Sequence, residues 1–136
     1  MAVVDELLRT EEDGAISFGN HKLAAKAKVE AYEHGGNLYK VKTYKALTKL
    51  EKNGMFAYES EPGTSVNSFM ETENGVVFTV EGDEDAQITV GLKEDTEYDV
   101  CLGDVNLGRM KTNLSGKLSI SVELANVGEV QVKITK

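Results

Sequence analysis

The feature that most constrains the fold of this sequence is a two-residue alternation of apolar and polar side chains between Val66 and Ile134. Because successive side chains of a β-strand point to opposite faces of a sheet, this alternation predicts strands with one dry and one wet face. Turn residues such as Asn74-Gly75 and Gly103-Asp104 separate the apolar runs, at the spacing of roughly 8–12 residues that is typical of β-sandwiches. We therefore predict seven strands in residues 64–136, arranged as two sheets in an immunoglobulin-like or fibronectin-like β-sandwich.

Residues 1–63 are predicted to form an N-terminal extension of this all-β domain, made of a short helix and additional β-hairpins. The helix is predicted over residues 2–9, where apolar side chains recur at helical spacing. These side chains belong to Val3, Val4, Leu7 and Leu8. A helix of this length does not persist without docking on the rest of the protein. Among the hairpins, Asn53-Gly54 gives the strongest signal, because both residue types tolerate a positive φ. The extension either continues a sheet or caps one end of the sandwich.

Composition argues against an internal disulfide, against nucleic-acid or membrane partners and against a membrane span. The chain has 136 residues and a single cysteine, Cys101, so it forms no internal disulfide. Its formal net charge of −8 disfavours nucleic acid and anionic membranes, which need a basic surface. No apolar run approaches the roughly 18 residues of a membrane span. The first residues lack a basic segment followed by an apolar stretch, so we expect a cytoplasmic protein.

The charges are distributed in blocks along the chain. Residues 22–52 carry eight lysines and three glutamates, whereas residues 53–104 carry thirteen acids and one lysine. Such blocks can pair within one molecule, or the basic block of one copy can meet the acidic block of the next. A head-to-tail contact of the second kind that does not close produces filaments. The sequence leaves both alternatives open.

Several turn and strand segments resemble a family of short proteins from clostridial gut anaerobes, some of which carry the automatic label endosialidase. The segments lie at residues 3–14, 39–43, 52–56 and 110–118. That label implies a sialidase site, in which three arginines bind the sialate carboxylate beside a Tyr–Glu pair. Only Arg9 and Arg109 are present, so we do not expect sialidase activity. Residues 98–124 also resemble the last strands of accessory sandwich modules in Gram-positive surface proteins and carbohydrate-active enzymes.

Candidate sites are sparse, and we expect no catalytic site, no metal centre and no cofactor. The acidic run of Asp83, Glu84 and Asp85 is a weak calcium candidate, since Ca²⁺ prefers clustered carboxylates on a loop. Tyrosines concentrate in the first half of the chain and are candidates for stacking on sugars. They are Tyr32, Tyr39 and Tyr44. Neither histidine has a Cys or His neighbour at metal-ligand spacing, and His34 beside Gly35-Gly36 is predicted to be a solvated loop residue.

These observations predict a non-catalytic structural or interaction module. Exposed sheet edges and complementary charge blocks favour self-association into a homo-oligomer or a filament. The alternative is a carbohydrate-binding accessory module that uses the tyrosines.

Overall fold

The computed structural model describes residues 3–136, and every regular element in that range is a β-strand. The thirteen strands are β1 (Leu8–Thr10), β2 (Ile16–Phe18), β3 (Ala27–His34), β4 (Asn37–Tyr44), β5 (Leu47–Lys52), β6 (Met55–Glu61), β7 (Ser65–Thr72), β8 (Gly75–Glu81), β9 (Ala86–Gly91), β10 (Glu97–Leu102), β11 (Val105–Lys111), β12 (Lys117–Val122) and β13 (Val130–Thr135). Among these described residues no helix is long and apolar enough to cross a membrane.

The strands form two antiparallel sheets, which confirms the predicted all-β architecture. The seven-stranded sheet has the order β1-β2-β7-β8-β13-β10-β11, and the six-stranded sheet has the order β12-β9-β6-β5-β4-β3. The predicted boundary between residues 63 and 64 falls in the connection from β6 to β7. Strands from both sides of it pair with each other, β2 with β7 in one sheet and β6 with β9 in the other.

The alternation of the sequence places the apolar side chains between the two sheets. In β8, for example, Val76, Phe78 and Val80 are at most 1% exposed. The centre of the core is an aromatic cluster, in which the ring of Tyr58 lies 5.2 Å from that of Phe18 and 5.6 Å from that of Phe78, edge to face in both cases. Burial of each large side chain contributes about 1.5–3 kcal/mol, so these inward faces hold the sheets together.

The helix predicted over residues 2–9 is wrong for residues 3–9, and the remaining position lies outside the described part of the chain. Val4 donates its backbone N–H to the carbonyl of Gly19 at 3.0 Å, and Leu8 begins the strand β1, which pairs with β2. Leu7 has a φ of 72°, a left-handed conformation that a helix cannot continue. The apolar residues Val4 and Leu8 are buried by the sheets instead, because a helix of two turns has too few hydrogen bonds to compete.

A chain of buried hydroxyls links β4, β5 and β6 to the start of β7. Thr64 Oγ1 lies 2.8 Å from Tyr58 Oη and 2.7 Å from Ser60 Oγ. Thr48 Oγ1 donates to the carbonyl of Thr64 and accepts from its backbone N–H, and it lies 2.8 Å from Thr43 Oγ1. All five residues are completely buried. Such a network specifies one arrangement of the strands, since any other would leave buried hydroxyls without partners.

Candidate functional site

The outer face of the six-stranded sheet carries positive charge along its β3–β5 half. Lys28 of β3 lies directly opposite Lys42 of β4, which lies directly opposite Lys49 of β5. We call these three residues the lysine row. Like charges in directly opposed positions destabilise a sheet, so an acidic partner that covered them would relieve the repulsion.

The β12 side of the same face carries negative charge at the end of β12 near Val122, while Lys117 carries a positive charge at the other end of that strand. Glu59 of β6 lies opposite Lys49, at the border between the two halves. Beyond it, Glu61, Asp85 and Glu123 line one shallow hollow, and we call these three residues the acidic corner. Residues from both charge blocks therefore lie on one sheet surface, although Glu123 lies outside the acidic block and strands β7, β8 and β10 of that block belong to the other sheet. One half ends at the edge strand β3 and the other at the edge strand β12.

Strand β12 has an open hydrogen-bonding edge. The backbone N–H of Leu92 donates to the carbonyl of Gly116 at 2.7 Å, which fixes the phase of the ladder between β9 and β12. Because bonded positions alternate in an antiparallel pair, Lys117, Ser119 and Ser121 direct their backbone groups away from β9. The groups of Lys117 bond to Asn113, at 2.9 and 3.0 Å.

The open backbone groups are thus those of Ser119 and Ser121, and no strand of the described chain pairs with them. The segment from Leu118 to Val122 contains no charge, no proline and no bulge. It therefore lacks the features that prevent strand addition at sheet edges.

The other three edge strands are better protected. Strand β1 has only three residues. Strand β3 contains a register shift between Val29 and Tyr32 and carries charged side chains. Strand β11 faces a register shift at Val100 and Cys101 of β10, and its Gly108 N–H bonds to the side chain of Asn106. Bulges and charges of this kind discourage pairing with another chain.

Part of the block charge is neutralised within one molecule. Lys22 pairs with Asp83 at 2.6 Å, and Lys52 pairs with Glu71 at 3.2 Å; both pairs join the basic and acidic blocks. In contrast, Lys28 and Lys49 pair only with glutamates of their own block. Lys42, at the centre of the lysine row, makes no ion pair with a described residue. The basic half of the sheet thus keeps charge that a second molecule can meet.

The three candidate tyrosines do not share a face. Tyr39 points toward the core and is 5% exposed, whereas Tyr44 lies on the outer side of β4, with Lys26 Nζ 5.9 Å from its ring. The hydroxyl of Tyr32 lies 2.9 Å from Thr10 Oγ1, at the contact between β3 and β1. Tyr32 and Tyr39 are directly opposed on β3 and β4 and share the inner face, but Tyr44 lies on the outer face. The three rings therefore form no common stacking surface, although Tyr39 borders a cleft between the sheets.

The carboxylates of the calcium candidates are engaged in different contacts. Asp83 accepts a hydrogen bond from Lys22 Nζ, which holds the pKa of its carboxyl below the ordinary value. Asp85 accepts from the backbone N–H groups of Leu124 and Ala125, and Glu84 is exposed. Within residues 3–136, no group of three or more His, Cys, Asp or Glu side chains is placed to hold a metal ion.

The histidines occupy structured positions that the sequence did not reveal. His34 is the last residue of β3 and not a loop residue; its Nε2 lies 2.9 Å from the carbonyl oxygen of Gly14. His21 is 3% exposed, with Nδ1 2.7 Å from Ser65 Oγ and Nε2 3.7 Å from an Asp83 oxygen. This is not a nucleophilic triad, because Ser65 is completely buried and no substrate can reach it.

Cys101 is half-buried and makes no disulfide.

Comparisons with known proteins do not assign this chain to a family. No protein-family model, no curated protein and no solved structure matches the chain. The resemblance to the clostridial proteins stays a prediction.

Proposed function

We propose that this chain is a non-catalytic interaction module that self-associates through its six-stranded sheet. The β12 edge of one copy would add to the β3 edge of the next at residues 27–29, which precede the register shift of β3. Attraction between the acidic corner and the lysine row would offset the protection of that edge. The observation that carries this proposal is the open edge at Ser119 and Ser121, which lacks the bulge that interrupts the β3 edge.

Charge favours the contact between these two edges. Pairing of β12 with β3 brings opposite charges together, because the acidic corner then approaches the lysine row. A contact between two different edges is heterologous, so it adds copies in a line instead of closing a dimer. The same geometry supports the structural role among the predicted functions, with homo-oligomers or filaments as the product.

The immunoglobulin-like interpretation of residues 64–136 is part of this proposal. It is supported by the pairing of β9 with β12, of β10 with β13 and of β10 with β11. These pairs correspond to the B–E, C–F and C–C′ neighbours of immunoglobulin domains, although β8, which precedes these strands in the chain, takes the place beside β13 that the last strand, G, has in those domains. Such a sandwich leaves its outer sheet faces free for contacts with other chains.

Sedimentation velocity on matched variants tests the proposal. Ser119→Pro removes an N–H that points away from β9, so it blocks strand addition while the ladder to β9 stays intact. Ser119→Ala loses the same hydroxyl contact with Thr89 but keeps the N–H. We expect assemblies that grow with protein concentration for the wild type and for Ser119→Ala, and a monomer for Ser119→Pro. Equal assembly of all three proteins, or a monomeric wild type at every concentration, would contradict the proposal.

A salt series separates the electrostatic part. Lys42→Glu reverses the centre of the lysine row, while Lys133→Glu makes the same change on an exposed position of the seven-stranded sheet. We expect Lys42→Glu to weaken assembly at low salt and Lys133→Glu to leave it unchanged. Exposed charges are largely screened at 1 M salt, where the Debye length is about 3 Å, so the difference should vanish there. Assembly of the wild type that does not weaken between low and high salt would rule out the charge contribution.

A further inference from the structure

A cleft between the two sheets combines aromatic walls with three polar groups. It has a volume of about 180 Å³ and is lined by residues from both sheets, among them His34 and Tyr39 of the six-stranded sheet and Phe69 of the seven-stranded sheet. A second, more open hollow of about 400 Å³ adjoins it on the side of Phe56 and Gly91. The two hollows share Lys52 and Glu71, and the larger one falls in the range of about 300–1,000 Å³ that is usual for ligand pockets.

The ion pair between Lys52 and Glu71 lines both hollows. Lys52 belongs to β5 in one sheet and Glu71 to β7 in the other, and their charged atoms lie 3.2 Å apart. About a third of each side chain is exposed, so both groups can still bond to a molecule in the cleft. The pair has no net charge, and an ion of either sign would therefore gain little from it.

The hydroxyl of Tyr39 has no hydrogen-bond partner among the described residues. The residue is 95% buried, yet its oxygen is open to the cleft, beside the charges of Lys52 and Glu71. Burial raises the pKa of this hydroxyl, so it is a neutral donor and acceptor at physiological pH. Because this oxygen is open to the cleft, either water or a ligand can bond to it.

The wall of the cleft is held in place. The ring of His34 packs edge-on against Tyr39, with 6.0 Å between the ring centres. Its two nitrogens bond to the carbonyl of Gly14 and to the hydroxyl of Thr10. A preformed wall lowers the entropic cost of binding a small ligand.

We propose that Tyr39, Lys52 and Glu71 form a binding site for one neutral sugar unit. Sugar hydroxyls both donate and accept hydrogen bonds, so they can donate to the Glu71 carboxylate while they accept from Lys52 Nζ and from the Tyr39 hydroxyl. The ligand need not break the ion pair, because a carboxylate and an ammonium each have further bonding positions. The size of the cleft suits a single ring, with the rest of a glycan in the more open hollow.

The proposal differs from the stacking surface predicted from the sequence, because it assigns polar recognition to one of the three tyrosines only. It does not depend on self-association. Both can therefore fail or hold separately, and binding is measured on the Ser119→Pro variant as well as on the wild type.

A titration followed by amide chemical shifts tests the site. The probes are D-glucose, D-galactose and N-acetyl-D-glucosamine, with glycine as a zwitterion and citrate as an anion. We expect at least one sugar to shift the amides of residues 37–39 and 69–71 in a saturable way at millimolar concentration, and no shift there with glycine or citrate.

Two variants identify the polar groups. Tyr39→Phe keeps the buried ring and removes only the hydroxyl, and the loss of one hydrogen bond of about 0.5–1.5 kcal/mol corresponds to roughly 2–13-fold weaker binding. Glu71→Gln, which is on the surface of the cleft, should weaken binding as well. Tyr44→Phe makes the matched change on the outer face and should bind like the wild type. No saturable shift with any sugar, tighter binding of glycine or citrate, or unchanged binding by both Tyr39→Phe and Glu71→Gln would overturn the proposal.

Discussion

The hydroxyl of Thr64 is the centre of the buried polar network, and its removal should be costly. Thr64→Val replaces the hydroxyl by a methyl group of similar size. The hydroxyls of Tyr58 and Ser60 then lose their partner at 2.8 and 2.7 Å, in a place that water does not reach. A buried polar group without a partner costs about 1–3 kcal/mol. Two such groups give an expected loss of roughly 2–6 kcal/mol, with the lower end if Tyr58 and Ser60 re-bond to each other.

Tyr58→Phe should cost much less. It removes one hydroxyl but leaves Thr64 Oγ1 bonded to Ser60, so we expect a loss of about 1 kcal/mol. In the double variant, one of the two orphaned hydroxyls is absent. The loss of the double variant should therefore fall below the sum of the two single losses, by roughly 0.5–3 kcal/mol.

Urea unfolding gives these free energies. The chain has no tryptophan, so far-ultraviolet circular dichroism or tyrosine fluorescence follows the transition. The slope of the free energy with urea should be the same for all variants, because the surface exposed on unfolding does not change. A Thr64→Val protein within about 0.5 kcal/mol of the wild type, or strictly additive losses, would refute the argument that the network is bonded as described.

Two further perturbations concern single buried positions. Burial holds the pKa of His21 below its ordinary value of 6.5, so the unfolded chain binds the proton more readily and stability should fall as pH drops below about 6.5. Unfolding of His21→Gln at pH 8, 6.5 and 5 should show a flatter dependence than that of the wild type. Gly75 has a φ of 149°, and a Cβ there would lie 1.9 Å from the carbonyl oxygen of Ile134. Gly75→Ala should therefore destabilise the protein clearly more than Gly103→Ala, because nothing lies within 4 Å of a Cβ at Gly103. Equal losses of stability in thermal unfolding would contradict this prediction.

The two-residue alternation was sufficient to predict the strands and their inward faces. Val76, Phe78 and Val80 are buried as the pattern indicates, because the side-chain period of a strand is fixed by the pleat. The Asn53-Gly54 turn also lies where it was predicted, between paired Lys52 and Met55.

Turns that depend on distant contacts were predicted less well. Asn74-Gly75 looked like the centre of a hairpin, but Thr72 pairs with Gly75, so the turn lies one residue earlier. Gly75 is needed inside β8, where the strand β13 approaches its α-carbon closely. Likewise, the sequence Glu61-Pro62-Gly63-Thr64 favours a type II turn with a positive φ at Gly63, but Gly63 does not take that conformation. Gly63 is needed for another reason, because a Cβ there would meet the carbonyl oxygen of Tyr44. The turn propensity of a short segment gives no information about such close contacts with distant parts of the chain.

The candidate sites depend on how the sheets are arranged, which the sequence does not state. Lys52 and Glu71 meet only because β5 and β7 lie in different sheets that face each other at this point. The lysine row requires the registers of three strands, although its members lie in one basic block of the sequence. The prediction of an N-terminal helix is wrong for a different reason. Helical spacing over only eight residues is a weak signal, and the neighbouring sheet offers hydrogen-bond partners to the backbone of this segment.

Hydrogen exchange at the β12 edge tests the central claim most directly. Within β12, the amides of Ile120 and Val122 bond to β9, whereas those of Ser119 and Ser121 face outward. We predict that the serine amides exchange rapidly in dilute protein and become protected as the concentration rises, while the other two stay protected throughout. If the serine amides exchange at the same fast rate over the whole concentration range, no strand adds at this edge and the proposed self-association is contradicted.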